Sequence, residues 1–396
     1  MTLSTRLSIM MFLQFFVWGS WMVTLGTYLL QNLHFSGLEV GMIYATNSIA
    51  ATVTPVLMGV LADKYFSGDR VMVVLHLLGG ACLIAVYFTT SFWPFYLLML
   101  AYNFCYVPTF SLSTSLCFHH LKNPSRDFPR IRVWGTIAWI VASVLISWLA
   151  LEKEATPLLI AGVSSIVYGC YNFTLPHTPP QPGLNWANLR GDDVRSLFKD
   201  RALLTMIGAL TVICIPSAYY YAFLNSFLTE VGVSNPAATM SLGQLVEIVT
   251  VLGMPWFFSH LRLRTILLIG FLVWGLRYFA FSVGRPGHYD SLIYIAIMVQ
   301  GFAFAFTTLA AQLYVNSRVP AYLRSTAQGM IAFCTLGIGA FLGSWIAGAQ
   351  VADYTLSPGE HDWQVIFLVP AIVGCLVAGV FYWRYPKGAR INEYEP

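Results

Sequence analysis

Glu247 is the chemical outlier of this chain, the one carboxylate in the middle of an apolar stretch, within Ser241-Leu-Gly-Gln244-Leu-Val-Glu247. An ionised acid at membrane depth is expensive. It must face a cavity, find a partner or stay protonated, and each outcome makes Glu247 a candidate to take up and release a proton. Gln244 precedes it by one helical turn on the same face and offers a neutral ligand both a donor and an acceptor. A purely structural alternative is a Glu247 satisfied by Arg277 of the following stretch. A second constellation is Arg132, Thr136, Trp139 and Ser143, which recur at i, i+4, i+7 and i+11. On a helix they draw one polar and aromatic stripe, the face a cavity would need. Arg132 also has the length to snorkel to a water interface, and Trp139 would suit an ordinary core. Gln300, Phe304 and Thr307 share a third face, although aromatics at this density are usually core or lipid-facing. Pro216 followed by Tyr219, Tyr220, Tyr221 and Asn225 makes a kinkable, hydroxyl-bearing segment. Gln14, Trp18 and Trp21 line one face near the N-terminus, and Asn103 and Tyr106 add further polar groups. One acid with amides and flat rings suits a neutral ligand carrying hydroxyls and a planar ring. A phosphorylated ligand would call for more buried cations than Arg132 and Arg277.

The elements that position these residues follow from composition. Of 396 residues, 57% are hydrophobic and 10% charged, against about 45–50% apolar and 25% charged in a soluble domain. With 28 Phe, 21 Tyr and 12 Trp, lipid must solvate the outer surface. Windows of about 20 apolar residues occur near 7–31, 39–62, 70–90, 92–118, 130–151, 157–175, 202–229, 236–260, 263–284, 290–316, 323–350 and 363–384. The expectation is an all-α polytopic membrane protein with twelve transmembrane helices. The longest polar break, His177 to Arg201, divides it into a six-helix bundle at 1–176, a cytoplasmic linker at 177–201 and a second bundle at 202–396. Of the 21 Lys and Arg, Arg132 and Arg277 lie inside spans, Lys153 and Arg285 fall on one side, and the other seventeen fall on the opposite side. That asymmetry predicts that both termini are cytoplasmic. The apolar run from Leu7 to Leu30 is too long for a signal-peptide core, so the first helix is expected to be retained.

The two halves carry an internal repeat. At an offset of 194 residues, Arg130-x4-Gly135-x-Ile137-Ala138-Trp139 falls on Arg324-x4-Gly329-x-Ile331-Ala332-Phe333. Gly59 falls on Gly253 and Arg70 on Arg264 at the same offset. A parallel duplication of six helices, related by an axis along the membrane normal, is the expected origin. The seven cysteines are scattered without metal-like spacing and read as small core residues. His119-His120 has no carboxylate at ligand spacing, no phosphate-binding loop occurs, and the longest loop is about 25 residues. No enzyme is indicated. With no basic run, nucleic acid is not an expected partner.

Between the second and third windows, Gly59-Val-Leu-Ala-Asp63-Lys64-Tyr-Phe-Ser-Gly68-Asp69-Arg70 resembles the loop signature of the major facilitator superfamily. The resemblance implies a conformational latch made by Gly59, Asp63, Lys64 and Arg70; read without it, the segment is a solvated loop with a tight turn. A narrower resemblance rests on Phe12-Leu-Gln14-Phe-Phe-Val-Trp18-Gly-Ser-Trp21, Thr24-Leu-Gly-Thr-Tyr28, Asp127-Phe-Pro-Arg130-Ile-Arg132-Val-Trp-Gly135-Thr136-Ile137 and Ala327-Gln328-Gly329. These are similar to the bacterial nucleoside:proton symporter family over essentially the whole chain. Membership implies the major facilitator fold, the bacterial inner membrane, alternating access, and nucleosides and protons as partners, with no cofactor and a monomeric state. It also implies a substrate site made by Arg132, Thr136, Trp139, Tyr221, Gln244, Glu247, Gln300 and Phe304, with Glu247 coupling the proton. Two positions depart from the family: Ala305 stands where members place an aspartate, and Ala218 where one places a glutamine. Altered coupling, a different substrate preference or a deliberate substitution that traps one state would each account for the missing acid. The alternatives to nucleoside symport are a carrier for another neutral solute such as a sugar, or an uncoupled nucleoside facilitator.

Overall fold

The computed structural model describes residues 2–64, 67–178, 199–284, 289–319 and 324–386. In lipid, backbone groups have no water to bond, so each spanning segment closes its hydrogen bonds internally as a helix. Among the described residues, ten helices are long and apolar enough to cross a membrane. They are α1 (Leu3–Gln31), α3 (Gly68–Tyr87), α4 (Phe92–His120), α5 (Arg126–Trp148), α7 (Arg201–Glu230), α8 (Pro236–His260), α9 (Leu263–Val283), α10 (Asp290–Val315), α11 (Ala327–Asp353) and α12 (Trp363–Arg384). Two further helices, α2 (Gly37–Lys64) and the 17-residue α6 (Thr156–Asn172), complete the twelve. A short hairpin, β1 (Thr355–Ser357) with β2 (Glu360–His361), precedes α12.

The expected windows find their helices, with differences at the ends. Helix α1 begins four residues earlier than expected and breaks at Met22–Thr24 before resuming at Leu25. Helix α5 ends at Trp148, where Ala150 adopts a positive φ of 53°. Two wide π-helical turns, Ala305–Leu309 in α10 and Phe333–Gly339 in α11, have no counterpart in the hydropathy pattern. Large apolar side chains face outward along the helices, among them Leu97, Val249, Leu252 and Leu376. Exposed Trp148 and Trp383 sit at helix ends, where an interfacial aromatic belt is expected.

Backbone contacts divide the chain into two compact units. The first is Met1–Leu184 with Tyr221–Thr229 and Ser234–Ser241, and the second is Asn185–Tyr220, Glu230–Val233 and Leu242–Pro396. In the first unit, α3 packs on α6 and α4, and α1 packs on α5. A core of Leu7, Met10, Met11, Phe15, Leu112, Leu116, Ile131 and Ala138 lies among these helices. In the second unit, α9 packs on α12 and α10.

The repeat is visible in how each unit packs internally. A Cβ on Gly80 of α3 would meet the Gly162 carbonyl oxygen of α6 at 2.8 Å. A Cβ on Gly275 of α9 would meet the Cys375 nitrogen of α12 at 2.9 Å. Glycines let these backbones touch, the usual way to gain dispersion energy between helices in lipid. Arg70, opening α3, places its guanidinium 5.6 Å from the Phe173 ring at the end of α6, and Arg264, opening α9, lies 4.8 Å from the Tyr382 ring in the last turn of α12. Of the expected latch, Arg70 is exposed and pairs with Asp69 at 3.8 Å. The side chains of Gly59, Asp63 and Lys64 lie outside the described residues.

Candidate functional site

In the first unit, α5 sets its polar stripe away from lipid. Trp134, Val141, Val144 and Trp148 are exposed along one face, whereas Arg132, Thr136, Trp139 and Ser143 run along the opposite face. Ser143 and Trp139 are buried, and Arg132 and Thr136 are half-buried. The Arg132 guanidinium lies 4.1 Å from the Phe15 ring of α1, a cation–π contact. Gly135 permits it, because a Cβ there would meet Arg132 Nη1 at 2.8 Å and the Phe15 ring at 2.6 Å. The Trp139 indole stands edge-on to Trp18 at 5.0 Å, and Trp18 is edge-on to Phe110 at 5.1 Å. Trp18 Nε1 and Ser143 Oγ are buried without a hydrogen-bond partner among the described residues. An aromatic wall with a cation and unspent polar groups is the expected lining for a flat polar ligand.

Several other polar residues of this unit are hydrogen-bonded within it. Gln14 Nε2 donates to Thr109 Oγ1 at 2.8 Å and Trp21 Nε1 donates to Tyr102 Oη at 3.1 Å. Asn103 is consumed by Thr46, Asn47 and the Met99 carbonyl. Thr27 Oγ1 donates to Asn225 Oδ1 at 2.6 Å within the same unit. Half-buried Tyr221 belongs to that segment.

The second unit holds the acid. On α8, exposed Leu245, Val249, Leu252 and Trp256 mark the lipid face, and half-buried Gln244 and Glu247 point away from it. Helices α8 and α10 meet backbone to backbone at Gly301, where a Cβ would lie 2.6 Å from Glu247 Cα and closer still to its nitrogen. This approach sets Gln300 beside the acid-bearing turn, since a Cβ on Gly243 would meet Gln300 Cβ at 3.1 Å. Gln300 Oε1 accepts from Arg277 Nη1, and Arg277 Nε donates to the Ala296 carbonyl at 3.1 Å. The Arg277 side chain is 1% exposed and ringed by aromatics, with its guanidinium 4.8 Å from Tyr220, 5.2 Å from Trp274 and 5.5 Å from Tyr278. Arg277 thus joins Gln300 and the Tyr220 ring, and half-buried Gln244 and Glu247 lie on the turn of α8 that packs against Gln300 and Gly301. Phe304 is half-buried and ends the helical turn that opens onto the π segment, and Ala305 beside it is fully buried.

Tyr220 was not singled out from its two neighbouring tyrosines by sequence. A run of three tyrosines samples three directions on a helix, and no spacing rule says which one points at Gln244. A Gly301→Ala substitution should drive α8 and α10 apart, costing about 1–3 kcal/mol in overpacking and lowering ligand binding together with thermal stability. Binding and melting measured on the same preparation would check this, and an unchanged melt would mean that the contact is slack.

Comparison with known proteins identifies the fold and the family. The family model described as nucleoside H+ symporter matches residues 1–388. The xanthosine permease of Escherichia coli (strain K12) is 32% identical, with 97% of this chain and 96% of the relative covered. The nucleoside permease NupG of the same strain is also 32% identical, over 96% and 95%. The crystal structure of the nucleoside transporter NupG superposes with a TM-score of 0.89 at 30% identity, covering 97% of this chain and 99% of that one. A D-xylose-proton symporter, at 13% identity and a TM-score of 0.71, shares the fold. The chain belongs to the nucleoside H+ symporter family, whose members are twelve-helix transporters of the major facilitator fold and not enzymes.

Proposed function

We propose that this multi-pass protein of the bacterial inner membrane imports nucleosides by proton symport, with Glu247 as the group that binds the coupled proton. The observation that carries this reading is the close approach of α8 and α10, which sets half-buried Glu247 and Gln244 beside Gln300, itself bonded by Arg277 under the Tyr220 ring. Such an arrangement offers hydroxyl-binding amides beside a titratable acid, so that protonation changes what the amides can hold. Arg132, Thr136, Trp139, Tyr221, Gln244, Glu247, Gln300 and Phe304 are the proposed substrate ligands. The Trp139 and Phe304 rings take the base, and the amides and Arg132 take the ribose hydroxyls. The halves 1–176 and 202–396 alternate access about the linker, with Gly59, Asp63, Lys64 and Arg70 as the latch. Both termini lie in the cytoplasm, a reading supported by the seventeen-to-two distribution of loop Lys and Arg, and the protein acts as a monomer.

Uptake of labelled uridine and adenosine into proteoliposomes, with and without an inward proton gradient, tests the proposal. Accumulation above the external concentration is expected only with the gradient. A second reading, an uncoupled nucleoside carrier, is favoured by buried Ala305 at the position where family members carry an acid. It predicts exchange without accumulation. No uptake and no competition by any nucleoside would point to a sugar-like solute.

A further inference from the structure

Tyr44 of α2 is a buried hydroxyl outside the proposed substrate ligands and latch, and it stands inside the break of α1. In an unbroken helix the Gly26 N–H would donate to the Met22 carbonyl four residues before it. Here a phenol separates the two. Gly26 N donates to Tyr44 Oη at 3.1 Å, and Tyr44 Oη donates to the Met22 carbonyl at 2.7 Å. A hydroxyl can accept and donate at once, so both backbone groups parted by the break stay satisfied in a setting without water. Regular bonding resumes where Tyr28 N donates to the Thr24 carbonyl at 3.1 Å. A side chain inserted into the backbone ladder is one of the few causes of a sharp helix bend, and there is no proline between Trp18 and Tyr28 to supply another.

Beyond the break, Leu25–Gln31 meets the part of α7 that belongs to the same unit. A Cβ on Gly26 would collide with the Ala222 carbonyl oxygen, so the two backbones touch there. One residue on, Thr27 Oγ1 donates to Asn225 Oδ1 at 2.6 Å and lies 3.2 Å from Ser226 Oγ. All three of these polar side chains are buried. The direction that Leu25–Gln31 takes at the break therefore decides whether α1 can reach α7.

We propose that Tyr44 is a positioning residue whose hydroxyl acts as a wedge: it holds α1 bent so that Gly26 and Thr27 close on α7, and its withdrawal straightens α1 and releases that contact during transport. The bend has two complete arrangements. With the wedge in place, the Gly26 N–H and the Met22 carbonyl each bond to Tyr44. With it withdrawn, they bond to each other as in any helix, and neither is left unpaired in lipid. Only the phenol hydroxyl changes partner. A hinge of this kind absorbs a change of direction in a few residues, as element-terminal hinges do.

The gating role rests on the alternating-access reading, whereas the wedge does not, and separate measurements test them. Thr27→Cys with Ser226→Cys, in a background whose seven native cysteines are replaced by serine or alanine, puts thiols where hydroxyl oxygens lie 3.2 Å apart. Mild oxidation in nanodiscs should join them, and adding Tyr44→Phe should slow the joining at least fivefold, because phenylalanine fills the same volume but leaves Gly26 and Met22 to bond directly. An unchanged rate would overturn the wedge. In proteoliposomes the disulfide should abolish uridine exchange, and reductant should restore it. Exchange that survives in the crosslinked protein would overturn the gate. With the native cysteines in place, Tyr44→Phe should lower the maximal exchange rate at least fivefold, while the half-saturating uridine concentration stays within about twofold of wild type and the melting temperature is unchanged. A loss of affinity or of stability instead of rate would mean a merely structural tyrosine. Absence of uridine exchange by the wild type would count against the nucleoside reading alone, because the crosslinking rate needs no substrate.

Discussion

Glu247→Gln should reduce the steady-state accumulation of uridine to about the external concentration, whatever gradient is imposed. The size of the effect follows from electrostatics. One proton crossing 100 mV releases about 2.3 kcal/mol, which sustains roughly fifty-fold accumulation of a neutral substrate. Gln cannot bind that proton, yet it fills the same volume beside Gly301 and keeps an amide facing the Tyr220–Gln244 pair, so the helices should still close as in wild type. The ratio of internal to external label under a potassium diffusion potential reads the effect directly. Uphill uptake surviving in this variant would remove Glu247 from the coupling role. Exchange is also expected to weaken, because the carboxylate belongs to the proposed ribose site.

Arg277→Met should be the most damaging single change to the stability of the second unit. The guanidinium is 1% exposed, donates to Gln300 and the Ala296 carbonyl, and lies within 5.6 Å of the Tyr220, Trp274, Tyr278 and Phe281 rings. Methionine preserves most of the bulk but no donor. Gln300 Oε1 and the Ala296 carbonyl then lose the guanidinium donor in a water-poor interior, at about 1–3 kcal/mol each. Arg277→Lys should recover part of the loss, since an ammonium retains the attraction to the rings but cannot satisfy both acceptors with one planar fork. Thermal unfolding of the three proteins in one detergent should rank them wild type, Lys, Met, with substrate binding following the same order. A methionine variant that melts with the wild type would show that the network contributes little to the fold.

Much of the architecture was legible because lipid leaves a chain few options. A stretch of apolar residues long enough to cross must be a helix, and the placement of Lys and Arg between stretches numbers the crossings. The twelve helices follow from that alone. The repeat was legible through Arg70 and Arg264, which open equivalent helices and rest on equivalent aromatics at Phe173 and Tyr382. Glu247 announced itself by cost, as any acid would in that setting. The stripe of Arg132, Thr136, Trp139 and Ser143 was legible because helical periodicity places it opposite the exposed apolar residues of α5.

The remaining features depended on three-dimensional packing. Helix spacing in lipid is set where glycines let backbones touch, and the contact of Gly301 with the Glu247 backbone brings α10 against α8. Which tyrosine of α7 meets Gln244 depends on the rotation of that helix, so Tyr220 could not be told from Tyr221 by spacing. The wide turns at Ala305–Leu309 and Phe333–Gly339 shift every later side chain around its axis, and hydropathy is blind to a change of one residue in register. Sequence by itself determined the solvent, the crossings and the presence of an intramembrane acid, because each follows from the cost of placing a group in hydrocarbon, and it pointed to the duplication through matches at one offset. Only the tertiary structure decided which polar groups meet, because that depends on helix rotation and close approach, which composition and period do not encode.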